Sequence, residues 1–176
     1  MSTNKSLSFT ALRRCTSAIF RAIPEHRQSS RVCIDLHDAL MSGLACMHFQ
    51  EPSLLQFQKR MQNEQNRNNL QTLFDVTNIP KDTQMREIID AVDSQYLRPI
   101  FKAFYTRLQR GKHLEQYAIF PGMYYFPIDG SQFYHSKTIH CAQCLVKEYT
   151  EEAPSYAHQV LQGGIAHPDC AQVIPF

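Results

Sequence analysis

The chain has 176 residues, enough for one ordinary domain or two small ones, and its 43% apolar content is ample for a core. Its net charge of +2 excludes a polycation taken as a whole. The apolar stretch at 18–23 is too short, and too interrupted by Arg21, for a secretory signal, and no apolar run is long enough to span a bilayer. The six cysteines therefore read as thiols or metal ligands of a reducing, cytoplasmic compartment.

Residues 1–31 read as a basic arm with a short helix over 12–22, because Lys5, Arg13, Arg14, Arg21, Arg27 and Arg31 face a single acid, Glu25. Such an arm suits phosphate contact, since each docked cation releases counterions; a solvated terminus has the same composition. Asp35 is placed to cap a helix over 36–49, with Leu36, Leu40, Leu44 and Met47 as its buried stripe. Gly43 costs roughly 1 kcal/mol there against Ala and marks a close helix contact. Pro52 suits the first turn of a helix to about residue 63. The polar run 62–69 reads as a helix end or loop, followed by a short helix over 70–74, a turn over 76–79 and a helix over 82–92 capped by Asp82. Asp93 caps a further helix that Pro99 shortens or kinks and Gly111 terminates.

Near residue 118 the composition changes to aromatic and β-branched. Strands are predicted over 123–128, continuing to 132–134, then over 156–166 and from 172. The pattern divides the chain into an arm (1–31), a helical region (32–117) and a β-rich region (118–176).

Asp129 stands in an otherwise apolar strand, where a carboxylate is costly unless paired or bound to a metal, and Gly130 lets the backbone bend. Asp-Gly alone more often marks a β-turn. Cys141 and Cys144 form a Cys-x-x-Cys, a spacing that lets two thiolates face one Zn²⁺; His158 and either His140 or Cys170 would complete four ligands. The segment 70–86 has the outline of a helix-turn-helix. Its second helix would offer Lys81, Thr83, Gln84 and Arg86 to base edges, while in a plain helical bundle these are solvent-facing residues. Arg107, Arg110 and Lys112 form a second basic group, suited to phosphates or to the helix dipole.

A resemblance joins these pieces. The run Ile128-Asp129-Gly130-Ser131-Gln132-Phe133, then Lys137-Thr138-Ile139-His140-Cys141-x-x-Cys144, then Tyr156-x-His158-Gln159-Val160-Leu161, then His167-Pro168-Asp169 with Val173-Ile174-Pro175, resembles the opening of the catalytic domain of DDE-type insertion-sequence transposases. Upstream, Asp38-Ala39-Leu40-Met41-Ser42-Gly43, Pro52-Ser53-Leu54-Leu55, Asn69-Leu70-x-Thr72-Leu73-Phe74 and Ile79-Pro80-x-Asp82-Thr83-x-Met85-Arg86 are similar to the N-terminal region of the same proteins. The resemblance implies an α+β chain: a helical N-terminal region that holds the element's terminal repeats, followed by the first strands of an incomplete RNase H-like domain. It makes Asp129 the first of three acidic ligands for two Mg²⁺ ions that attack a phosphodiester in line. The later Asp and Glu have no counterpart by Phe176. Glu148, Glu151, Glu152 and Asp169 fall in loops and read as solvated surface. The expectation is a truncated transposase of a bacterial insertion sequence, at the nucleoid, inactive in cleavage alone. The alternatives are a non-catalytic repressor that occupies the ends or joins full-length subunits, and a nonfunctional remnant. Nothing in the residues suggests a membrane or a small-molecule substrate.

Overall fold

The computed structural model describes residues 5–28, 30, 32–150 and 152–175. The described residues form a mixed α+β fold of six α-helices and two small antiparallel sheets, divided into two compact units, Met1–Gly111 and Lys112–Phe176. The compositional change at residue 118 falls on the first strand, and residues 112–117 belong with the β-rich unit.

The first unit contains α1 (Phe9–Arg21), α2 (Leu36–His48), α3 (Leu54–Met61), α4 (Glu64–Phe74), α5 (Asp82–Asp90) and α6 (Arg98–Arg110). Helix α2 lies at its centre, buried on most of its surface, as befits a helix that is apolar nearly all round. Leu36 and Leu40 are buried as predicted, but Met47 is 79% exposed, because α2 meets the core through Ala45 and Cys46 in its last turns. Gly43 does mark a close contact: a Cβ there would meet Ile89 Cδ1 at 3.0 Å.

Two expectations fail here. The short helix predicted within the basic arm is present as α1, but the segment is not an arm apart from the core: Phe20, with Ile23 beyond it, joins the apolar cluster. Three of its cations are engaged within the unit, while Arg14 is exposed: Arg21 Nη2 lies 3.1 Å and Arg13 Nη1 3.9 Å from Asp75, and Arg27 pairs with Glu25 at 2.6 Å. Arg31 and Glu151 lie outside the described residues. The polar run 62–69 is helical, most of it inside α4, because Leu70 and Phe74, both fully buried one turn apart, anchor an otherwise polar helix. Asp75 ends α4 at φ 60°, a left-handed conformation that Asp adopts more readily than most residues.

Helix α6 follows a 3-10 turn, Ser94–Leu97, capped by Asp93, whose Oδ1 accepts the Gln95 N–H at 2.9 Å. Pro99 sits in the first turn of α6, where its missing N–H costs nothing, so there is no mid-helix kink. Gly111 caps the end at φ −79°, and the left-handed reversal falls on Lys112 at φ 58°.

In the second unit β1 (Ala118–Phe120) and β2 (Met123–Tyr124) form a hairpin over Pro121 and Gly122, with Gly122 at φ 74° as a type II turn requires. The larger sheet is built on β5 (Ser155–Ile165). β3 (Ile128–Ser136) runs antiparallel along it, β4 (Leu145–Lys147) pairs with its first residues, and β6 (Ile174–Pro175) pairs at Gly164 and Ile165. Gly163 and Gly164 receive their neighbours at short range: a Cβ on the first would meet Phe126 ring carbons at 2.6 Å, and on the second Val173 Cγ1 at 2.9 Å.

Candidate metal centre

Three chemically suited side chains of the second unit converge. Cys141 Sγ lies 3.8 Å from Cys144 Sγ, and His158 Nε2 lies 3.3 Å from the first sulfur and 3.4 Å from the second. These ligand atoms all fall within 4.8 Å of one another, and among the described residues they form the one such group of three or more. The sulfurs are far beyond the roughly 2.05 Å of a disulfide.

The local chain explains the convergence. At the end of β3 the Ser136 hydroxyl accepts the N–H groups of Thr138 (3.1 Å) and Ile139 (2.9 Å), and the Tyr134 hydroxyl donates to the Ile139 carbonyl at 2.7 Å. These bonds turn the chain back over the sheet. The Cys144 N–H then donates to the Cys141 carbonyl at 3.2 Å, closing the tight loop that brings the two sulfurs together, and the Cys141 N–H points to Cys144 Sγ at 3.3 Å. His158 comes from β5, opposite Tyr134 across the ladder. The β3 strand bulges between Gln132 and Tyr134, and the extra residue, Phe133, stacks on the His158 ring at 5.9 Å and 19°. The ring is thereby held by an aromatic face while Nε2 meets the thiols.

The expected fourth ligands are elsewhere. His140 stacks on Tyr156, centroids 4.2 Å apart and planes 17° apart, and the Cys170 thiol faces the Gln116 carbonyl at 3.8 Å. Aromatic stacking holds the first and the next loop carries the second away, and Cys141 of the group is exposed.

Asp129 is exposed near the start of β3, opposite Gln162, and its Oδ1 accepts the Gly130 N–H at 2.8 Å. No set of three ligand groups among the described residues includes it. Glu148 and Asp169 are exposed, and Glu152 is exposed and paired with Lys137 at 2.8 Å. A pair of Mg²⁺ ions does not fit a lone surface carboxylate.

The nucleic-acid candidates separate into two groups. Lys81, Thr83 and Arg86 are exposed on and just before the first turns of α5, and Gln84 is half-buried. The turn from α4 into α5 is held by buried Asp38 of α2, whose carboxylate accepts the Thr77 N–H at 3.2 Å and the Asn78 N–H at 2.7 Å. Arg107 and Arg110 lie on α6, whereas Lys112 falls in the second unit, 3.9 Å from Glu115.

Asp38 belongs to a constellation that sequence reasoning missed. Ser17 Oγ and His37 Nε2 are 2.8 Å apart, and His37 Nδ1 is 3.7 Å from Asp38 Oδ1. The order resembles a hydrolase triad, but the three are buried at 5%, 7% and 3% exposure, and both Asp38 oxygens are occupied by backbone N–H groups. A nucleophile needs access, so this is a brace joining α1, α2 and the α4–α5 turn. Burial, reinforced by the charge of Arg21, holds the His37 imidazole below its ordinary pKa, against the opposing pull of Asp38 and Asp75. No family model, curated protein or solved structure matches this chain.

Proposed function

We propose that the chain is a DNA-binding component of insertion-sequence transposition whose β unit is clipped by Zn²⁺ on Cys141, Cys144 and His158. The observation that carries the metal assignment is the set of ligand separations. Tetrahedral Zn²⁺ with ordinary bond lengths places two sulfurs about 3.8 Å apart and a sulfur and a nitrogen about 3.5 Å apart. The three separations here are 3.8, 3.3 and 3.4 Å. The N–H of Cys141 directed at Cys144 Sγ supplies the outer-shell donation a thiolate requires. Bound Zn²⁺ would cross-link the loop after β3 to β5.

What supports the transposition reading is the family resemblance together with the order of the strands. β3, β5 and β6 follow one another in antiparallel pairs, and Asp129 stands near the start of the first, the arrangement expected at the opening of an RNase H-like domain. In the helical unit, α4, the Asp38-held turn and α5 provide the outline of a helix-turn-helix. On this reading Lys81, Thr83, Gln84 and Arg86 address base edges in the element's terminal repeats, in the bacterial cytoplasm at the nucleoid. The lone carboxylate favours a second form of the same reading: the chain occupies element ends, or joins full-length transposase, without cutting.

The test is a binding titration of the zinc-loaded chain against a terminal-repeat duplex and a scrambled duplex of equal length. The expected result is preference for the repeat and no Mg²⁺-dependent nicking. Equal affinity for both duplexes overturns the transposition reading, and nicking by the chain alone overturns the non-cutting form.

A further inference from the structure

The helical unit carries cations on every helix but α2, and α6 gathers three of them, none ion-paired among the described residues, along one groove. The α1 arginines Arg13 and Arg21 lie against Asp75, and Arg27 just beyond is spent on Glu25. Helix α5 bears Arg86 among Asp82, Glu87 and Asp90, so its own field repels phosphate. Helix α6 has the sequence Arg-Pro-Ile-Phe-Lys-Ala-Phe-Tyr-Thr-Arg-Leu-Gln-Arg, with no acid in it. Among the described residues none of Lys102, Arg107 and Arg110 is ion-paired with a carboxylate.

Those three cations share a groove of about 510 Å³, floored by Pro99, Ala103 and Thr106. The Arg107 guanidinium is held along the helix by donating from Nη1 to the Ala103 carbonyl at 3.2 Å, and the Thr106 hydroxyl donates to the Lys102 carbonyl at 2.8 Å. From Lys102 to Arg110 the helix rises roughly 12 Å, long enough to meet successive phosphates of one strand.

We propose that this α6 groove is the chain's phosphate-backbone contact, a positively charged track for one strand of a DNA duplex. The proposal rests on the reading that the helical unit binds DNA, and it assigns the division of labour: α6 positions the duplex while the start of α5 meets its bases. An anionic membrane is the poorer partner. The cations line a concave groove, and the larger apolar side chains of α6 form no outward stripe: Ile100 packs on the core, Phe104 and Leu108 are half-buried, and Phe101 alone among them is exposed. A helix lying on lipid needs its apolar stripe outward.

The experiment measures affinity of the zinc-loaded chain for a random-sequence duplex across a salt series. Variants are Lys102→Gln/Arg107→Gln/Arg110→Gln and, as a milder change at an exposed site, Arg110→Gln alone. Gln keeps helix propensity, and circular dichroism checks the fold. Each phosphate contact removed lowers the slope of log K against log salt by about 0.9, so the triple variant should lose about 2–3 in slope and the single variant about 1. Arg86→Gln should alter preference among sequences and leave the slope nearly intact. Folded triple and single variants that both keep the wild-type slope overturn the proposal. So does tighter binding of phosphatidylserine vesicles than of duplex, lost on the same substitutions. Loss of preference for the terminal repeat, with the α6-dependent slope retained, sinks the transposition reading and leaves the groove. Preference for the repeat that is indifferent to α6 does the reverse.

Discussion

In the helical unit fifteen buried apolar side chains, from Phe20 to Ile88, make one continuous cluster, whereas in the β unit only Leu114, Tyr117 and Ile165 among the described apolar residues are comparably buried. The β unit leaves large apolar side chains in solvent instead, among them Phe120 at 65%, Ile139 at 71% and Leu161 at 76% exposure. A unit of about 60 residues buries only about 60% of its unfolded surface even when well packed. Small folds with so little buried apolar surface gain most from a staple such as a metal. The difference teaches where each half keeps its order: the first in packing, the second in ladder hydrogen bonds and the convergence of three side chains.

The largest effect that would break this contrast is metal removal. Chelation, or Cys141→Ser with Cys144→Ser, should abolish protease resistance across 112–175 while the helical unit keeps its unfolding transition. Limited proteolysis followed by mass spectrometry reads this directly. A metal-free chain with both units equally resistant would show that the cluster contributes nothing to the fold. Acid should act in the same direction, because the three ligands bind Zn²⁺ only when deprotonated.

Next in size is the converse change. Phe57 is 1% exposed in the helical core, and Phe57→Ala should cost the helical transition about 3–5 kcal/mol with zinc stoichiometry unchanged. Urea denaturation followed by circular dichroism measures the first, elemental analysis the second. Zinc loss in this variant would mean that the two units do not keep separate sources of order.

The smallest effect sharpens the comparison by pH. The folded-state pKa of His37 is lowered, so the unfolded chain binds more protons than the folded one below the ordinary value of about 6.5. The stability this group protects is complete above that value and declines as pH falls through it towards the lower folded value. A series of urea midpoints from pH 8 to pH 5 should show the decline in the helical transition, reduced in His37→Gln. An unchanged decline in that variant would assign it to other groups.

Sequence pattern reached the helices whose apolar spacing is regular, α2 and α6 above all, and the long strand β5, whereas the strand read over 123–128 divides into β2 and the start of β3, with 132–134 inside β3. It reached only the last turn of α4, at 70–74, because the first half shows a polar face with its two anchors further on, and it did not reach β4, which is short and exposed and exists by pairing with β5 at Ala157 to Ser155. The ligands Cys141, Cys144 and His158 were legible from residue type and spacing. The failure of His140 to join them was not, because its stacking on Tyr156 depends on the register of a strand sixteen positions on. The Ser17–His37–Asp38 brace was likewise invisible, since its partners come together only when α1 and the α4–α5 turn close on α2.

The paired glycines of β5 set a limit of another kind. Gly163 receives an aromatic ring from the chain before β3, and Gly164 receives Val173 and the Ile174 carbonyl from the approach to β6. Two different parts of the chain thus close on adjacent positions, each at a distance that leaves room for a hydrogen and nothing larger. Drift at either position is blocked by a different neighbour, so a compensating shrinkage of Phe126 would free the first and do nothing for the second. As a lineage accumulates substitutions, these two codons should stay fixed together while the exposed residues on either side of them vary.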